Sequence, residues 1–189
     1  MDDPGNLIRA AWLVFVLYWI FASLSVNRIK NREPAGARLT RLAVIAATLL
    51  LLNTDLGSTG FLGRRFIPFT RSMPWLGAIL TLAGVAFAIW ARAHIGRYWS
   101  GTVALKVGHE LVRTGPYAHI RHPIYTGILV MLAGTALAIG RYGALLAFLL
   151  LLADLIWKSR REEALLAQEF GSAFEEHRSH TGFFFPRFS

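Results

Sequence analysis

Cysteine is absent from all 189 residues. That excludes disulfides, a thiolate nucleophile and a cysteine-based metal site. In a chain this apolar it says nothing of compartment. Charge is scarce as well: 16% of residues are Asp, Glu, Lys or Arg, against roughly 25% in an ordinary soluble domain. Acids are scarcest, 11 against 20 Lys and Arg, for a net charge of +9 and a pI near 10.8. What remains is apolar: 54% of the chain is hydrophobic and the mean hydropathy is +0.45. One bilayer crossing takes about 20 mostly apolar residues, so the apolar count covers about five crossings. A soluble enzyme, a disordered chain and a secreted disulfide scaffold are therefore excluded. The basic balance does not point to nucleic acid, because no basic stripe lies on a soluble fold.

Five apolar stretches follow one another. Leu7 to Val26 is the first. No basic segment precedes it, so it reads as a span rather than a cleavable signal. Leu39 to Leu56, Trp75 to Ala91, Ile124 to Ile139 and Tyr142 to Trp157 are the others. Pro74 and Pro123 suit first helical turns. Only Gly140 and Arg141 join the last two spans, which predicts a tight antiparallel hairpin. The fold expected is all-α: a polytopic integral membrane protein of about five transmembrane helices, with a loop and a C-terminal helix on the cytoplasmic face. It is one domain over 1–189, with three spans in 1–92 and a loop, hairpin and terminal helix in 93–189.

The basic residues orient it. Arg28, Lys30, Arg32, Arg38 and Arg41 flank the first loop, and Arg92, Arg97, Lys106, Arg113 and Arg121 the third. Lys158, Arg160, Arg161, Arg178 and Arg187 follow the last span. The positive-inside rule places all of these in the cytoplasm. The N-terminus is then outside and the C-terminus inside, as five crossings require.

The polar centre is the third loop, roughly Ala93 to His122. Long loops in small domains are often functional. Four of the six histidines, His94, His109, His119 and His122, fall in it. Gly115-Pro116 signals a turn. Pro123 opens the fourth helix, whose free N–H groups and positive dipole end favour anions. Arg121 and His122 add side-chain donors there, a seat for a carboxylate or phosphate. A basic pair that only fixes topology is the simpler reading of the same two residues. His109 and His119 read as solvated loop histidines, and no His/Asp/Glu set has metal-ligand spacing.

Beyond Lys158 a further helix is expected to about Arg178. Leu166, Phe170, Ala173, Phe174 and His177 form its apolar stripe. Glu162 and Glu163 flank that stripe one turn before it; a charged helix start is the plainer reading. Asp154 lies inside the fifth span, where an acid is costly unless it faces protein or water. Snorkelling, pairing with Arg121 or Lys158, and lining a pocket all remain open for it. Gly127 and Gly134 share a face suited to close helix packing. The Phe183-Phe184-Phe185-Pro186 cluster reads as an interfacial anchor or as a plug over the loop.

Taken together, Gly115-Pro116-Tyr117, the run Arg121-His122-Pro123-Ile124-Tyr125-Thr126-Gly127 and Arg160-Arg161-Glu162-Glu163 resemble the isoprenylcysteine carboxyl methyltransferase family, most of all its prokaryotic members. The resemblance runs from about His94 to Pro186. It implies a membrane methyltransferase that binds S-adenosylmethionine without a Rossmann domain. It further implies a cofactor site drawn from His109, Leu111, Val112, Gly115, Tyr117, Arg121, His122, Tyr125, Glu162 and Glu163, with Arg121 and Glu163 the pair nearest the chemistry. The implied partners are the lipid bilayer and a lipophilic or small methyl acceptor, with neither nucleic acid nor metal. The acceptor group, whether carboxylate, thiol or amine, stays open. An amine must lose a proton, which His109 or His119 could take. Two other readings compete: an NADPH-dependent membrane reductase of sterol-reductase architecture, and a non-enzymatic membrane scaffold.

Overall fold

The computed structural model describes residues 3–24, 35–96, 99 and 111–187. Six helices span these residues: α1 (Pro4–Ser23), α2 (Ala35–Asn53), α3 (Ser72–Ile95), α4 (Pro123–Ile139), α5 (Tyr142–Phe170) and α6 (Ser172–His180). Short 3-10 turns occupy Asp55–Gly57 and Gly115–Ala118. Among the described residues, β pairing is confined to two isolated bridges. His109, with the rest of 100–110 and 25–34, lies outside the described residues.

Helices α1, α2, α3 and α5 are long and apolar enough to cross a membrane. Helix α4 has 17 residues, about 26 Å at 1.5 Å per residue. That is slightly less than a hydrocarbon core of about 30 Å. Pro123, Tyr125, Met131, Leu132 and Ala136 along it are buried, and α3 and α5 pack against it. The chain is thus a multi-pass integral membrane protein built on the expected five apolar helices.

The helix ends follow local chemistry. Asp3 caps α1 by accepting from Gly5 N–H at 3.1 Å, with Pro4 in the first turn. Helix α2 ends at Asn53, earlier than the apolar run suggested, because Thr54 turns extended and caps the next turn. Helix α3 runs past Ala91 to Ile95 and stops at Gly96, whose φ of +55° ends a helix cheaply.

Glycines fix how α3 meets α4. A Cβ on Gly127 would lie 2.6 Å from Ala88 N, and one on Gly134 2.6 Å from Thr81 N. Gly77 and Gly84 answer them from α3. Backbones can approach this closely only where side chains are missing. A polar seam fills the same interface. Trp12 Nε1 donates to Thr135 Oγ1 at 3.1 Å, and Thr135 and Thr81 hydroxyls lie 3.3 Å apart.

At the other end of the bundle the 54–71 connector packs on the α4–α5 hairpin. Phe66 N–H donates to Gly140 O at 3.1 Å and Tyr142 N–H to Arg64 O at 3.0 Å. Gly140 takes φ +66° to make that turn.

One boundary differs in kind. The fifth span and the tail helix form a single helix, α5, of 29 residues. The apolar run ends at Trp157, but Lys, Arg and Glu are good helix formers, so the charges mark the membrane exit rather than a break. The break comes at Gly171, with φ +52°. Helix α6 then carries the buried Phe174 and His177 of the expected stripe.

Candidate active site between the start of α4 and α5

Two sequence motifs 40 residues apart meet here. Arg121 and His122 stand just before α4, and Glu162 and Glu163 lie two-thirds of the way along α5. Arg121 Nε donates to Glu163 Oε1 at 2.6 Å. His122 Nε2 lies 3.2 Å from the same oxygen. Tyr125 OH donates to Glu162 Oε1 at 2.7 Å. Lys158 Nζ is 3.8 Å from that oxygen and 5.0 Å above the Tyr125 ring. The two adjacent acids thus differ in their main partners and share one. Glu163 holds Arg121, Glu162 holds Tyr125 and Lys158, and His122 lies between the two acids, with its Nδ1 3.8 Å from Glu162 Oε2.

The arrangement follows from the helix. Residues four apart on α5 share a face, so Lys158 and Glu162 point together. On α4, His122 and Tyr125 are one turn apart, and their rings lie 5.6 Å apart and nearly parallel. The seat offered to an anion at the start of α4 is therefore held by the chain's own Glu163. Among the described residues both contacts to Glu163 converge on Oε1, which leaves Oε2 available to a further donor.

The chain's last segment closes over this cluster. Arg121 N–H donates to Gly182 O at 2.9 Å, His122 N–H to Phe183 O at 3.3 Å, and Gly182 N–H to His119 O at 3.0 Å. Thr126 Oγ1 donates to Phe184 O at 2.7 Å. Arg121 Nη1 reaches the carbonyls of Arg178, at 3.2 Å, and Thr181. Phe183 packs edge-on against His122 at 5.1 Å, and the Arg121 guanidinium lies 5.7 Å from its ring. Phe184 is buried, whereas Phe185 is 78% exposed. Phe183 and Phe184 pack against the cluster, and Phe185 points outward.

The preceding loop forms a wall. Gly115 has φ +57°, and a Cβ there would sit 2.6 Å from the His94 ring. His94 Nε2 in turn meets Thr114 Oγ1 at 2.9 Å and stacks on Tyr117. Tyr117 is buried, with its hydroxyl toward Ala91 O at 3.4 Å. Burial and the Glu162 carboxylate raise its pKa far above the ordinary tyrosine range, so it stays protonated. Val112 packs into the same apolar cluster as Tyr117 and Tyr125, and Leu111 beside it is half-buried. Arg113 pins the loop to α6 through Glu176 at 3.2 Å and the Ala173 carbonyl. His119 is exposed.

Of the residues singled out in the sequence, Tyr117, Arg121, His122, Tyr125, Glu162 and Glu163 converge on one centre. Gly115, Val112 and Leu111 shape its wall. Sequence reasoning did not assign Lys158 to the site, although its i,i+4 spacing to Glu162 was a readable signal. For Asp154 the structure shows a neighbour outside the expected set. Its carboxylate lies 3.8 Å from Arg41 Nε on α2. Among the described residues no group of three or more His, Asp or Glu is placed to hold a metal ion.

Fold and site together define a polytopic helical membrane protein with a closed Arg–His–Glu–Tyr cluster at one end of its bundle. Residues 77–168 match the model of the isoprenylcysteine carboxyl methyltransferase family. The chain is 38% identical over 95 residues to the protein-S-isoprenylcysteine O-methyltransferase of Schizosaccharomyces pombe, covering 47% of this chain and 39% of that protein. It is 33% identical over 118 residues to the nickel-cobalt-cadmium resistance protein NccN of Alcaligenes xylosoxydans, covering 61% of this chain and 54% of that one. A solved structure of the eukaryotic intramembrane Ras methyltransferase ICMT shares the fold, with a TM-score of 0.53, 19% identity, and coverage of 83% of this chain and 54% of that one. The chain therefore spans about two-fifths to just over half of these relatives.

Proposed function

We propose that this protein is a membrane methyltransferase that uses S-adenosylmethionine and methylates a lipophilic or small acceptor. The observation that carries the reading is the pairing of Glu162 and Glu163 with Tyr125, Arg121 and His122 at one closed centre. The cofactor brings a carboxylate, an ammonium, a sulfonium, ribose hydroxyls and an adenine. The donor set fits this mixture. Glu163 Oε2 can accept from the ammonium or a ribose hydroxyl, and Arg121 and His122 can donate to the carboxylate. The faces of Tyr117 and Tyr125 suit the adenine or the sulfonium. NADPH, with its phosphates, suits two partly buried carboxylates poorly. A pure scaffold gives no reason for the cluster to converge.

When bound, S-adenosylmethionine supplies a methyl group already activated by positive sulfur. The chain's part is then mainly position and dryness. Arg121 and Glu163 fix where the ligand's charges lie. Phe183 and Phe184 exclude water from above. Alignment of this kind contributes on the order of 7–11 kcal/mol in favourable model reactions. A carboxylate or thiolate acceptor needs no general base. The acceptor's apolar part can arrive from the bilayer while the cofactor arrives from the aqueous side, which we place in the cytoplasm with the C-terminus. The segment after Ala93 carries the ligand-facing groups, and the first three spans frame them.

Transfer of labelled methyl from S-adenosylmethionine to a prenylated cysteine bearing a free carboxylate tests this. The proposal expects label in a base-labile ester. Label in a thioether or an amine would keep the reaction class and change the acceptor. No transfer to any lipophilic carboxylate, thiol or amine would overturn it.

A further inference from the structure

Ser159 stands on α5 one turn before the paired acids, and the cluster described above does not use it. It is fully buried, and among the described residues its Oγ has no hydrogen-bond partner. A serine inside a helix commonly turns its hydroxyl back to the carbonyl one turn earlier; Ser159 does not. Glu162 and Glu163 follow it by three and four residues. Those spacings place helical side chains beside one another, with Cβ atoms about 5–6 Å apart. At about 100° per residue, the two acids flank the direction of Ser159 by about 60° and 40°. Glu162 faces Tyr125 and Glu163 faces Arg121, so Ser159 faces the space between those contacts. Leu155, one turn earlier still, packs with Tyr125 and Phe184. The row thus runs from an apolar floor through a hydroxyl to the acids.

We propose that Ser159 is a further ligand-binding residue of this site, and that its hydroxyl bonds a ribose hydroxyl of S-adenosylmethionine. This rests on the cofactor reading above. An ionised carboxylate only accepts hydrogen bonds, whereas a hydroxyl both donates and accepts. A ligand hydroxyl that donates to Glu163 still has an oxygen lone pair that neither acid can meet. The Ser159 O–H donates to it. A carboxylate with a hydroxyl one helical turn away therefore suits an alcohol better than an ammonium, which has no lone pair to offer. A buried hydroxyl without a partner is destabilising, and each such group in a native fold calls for a reason. Here the ligand supplies the partner that the fold withholds.

The hydroxyl then matters to binding and not to the empty fold. Ser159→Ala is expected to weaken S-adenosylmethionine binding about three- to tenfold, the scale of one neutral hydrogen bond. The ligand-free variant is expected to melt no lower than the unsubstituted chain. Ser159→Cys keeps a similar volume and loses the strong donor, so it should bind as weakly as Ser159→Ala. S-adenosylhomocysteine carries the same ribose without the methyl group, so both variants should weaken its binding by the same factor. Calorimetric binding of both ligands to the detergent-purified chains, with ligand-free thermal melts, reads this out. Unchanged binding by Ser159→Ala, or full affinity in Ser159→Cys, would overturn the role. A lower melt of the empty Ser159→Ala would make the hydroxyl a structural contact and overturn it too. A loss confined to S-adenosylmethionine would put the hydroxyl at the methyl group and overturn the ribose assignment. No binding by the unsubstituted chain would remove the cofactor reading, and this inference with it.

Discussion

Arg121 and Glu163, 42 residues apart, meet at 2.6 Å and join the start of α4 to α5. The same guanidinium holds the carbonyls of Arg178 and Thr181, so one side chain ties three segments together. Arg121→Lys keeps the charge and loses the fork that makes these contacts at once. We expect it to destabilise the protein by about 2 kcal/mol, the scale of one charge-assisted bond. It should also weaken cofactor binding. Thermal melting in detergent checks the first effect; an unchanged melt would show that the fork is not used.

Gly115 is required for two reasons. Its φ of +57° disfavours any side chain, and the His94 ring fills the space a Cβ would need. Gly115→Ala is expected to cost about 1–2 kcal/mol from the backbone alone and to push His94 off Tyr117. A melt of the variant, compared with Gly36→Ala, where nothing lies within 4 Å, separates site strain from a general effect of removing glycine.

His177 gives a pH dependence. It is buried on α6, and burial together with Arg113, Arg121 and His180 lowers its pKa below the ordinary histidine value. As pH falls through about 6.5, the unfolded chain takes up the proton first. Stability contributed by neutral His177 is therefore present above that pH and is lost as pH falls toward the folded value. Melting temperature should decline between pH 7 and pH 5, and His177→Gln should flatten part of that slope. A slope identical in the variant would assign the pH dependence to other groups.

These residues also show what was legible beforehand. Gly140-Arg141 between two apolar runs gave away the hairpin, and the motifs Arg121-His122 and Glu162-Glu163 marked side chains that the fold brings together. Continuity of α5 through Trp157 was not visible, since the loss of hydrophobicity marks a change of solvent and not of backbone. Asp154 stood out as anomalous, but its partner Arg41 is 113 residues away in the sequence and no periodicity links them. The covering of His122 by Phe183 depends on the carbonyls of 182 and 183 meeting the N–H groups of 121 and 122, which side-chain patterns do not encode.

Phe184 tests the closing segment. It is 7% exposed and packs with Tyr117, Tyr125 and Leu155. Phe184→Ala is expected to cost about 3 kcal/mol and to admit water over the cluster. Hydrogen exchange at the N–H groups of Arg121 and His122 should accelerate in the variant. Unchanged exchange would show that the backbone pairing closes the site without the ring.

Binding of S-adenosylmethionine to the detergent-purified protein, measured by calorimetry beside NADPH and beside Glu163→Gln, tests the central claim most directly. The account predicts saturable binding of S-adenosylmethionine, weakened at least tenfold by Glu163→Gln, a loss of about 1.5–3 kcal/mol for a charge-assisted bond. Binding of NADPH alone, or no binding of either ligand by a folded sample, would contradict it.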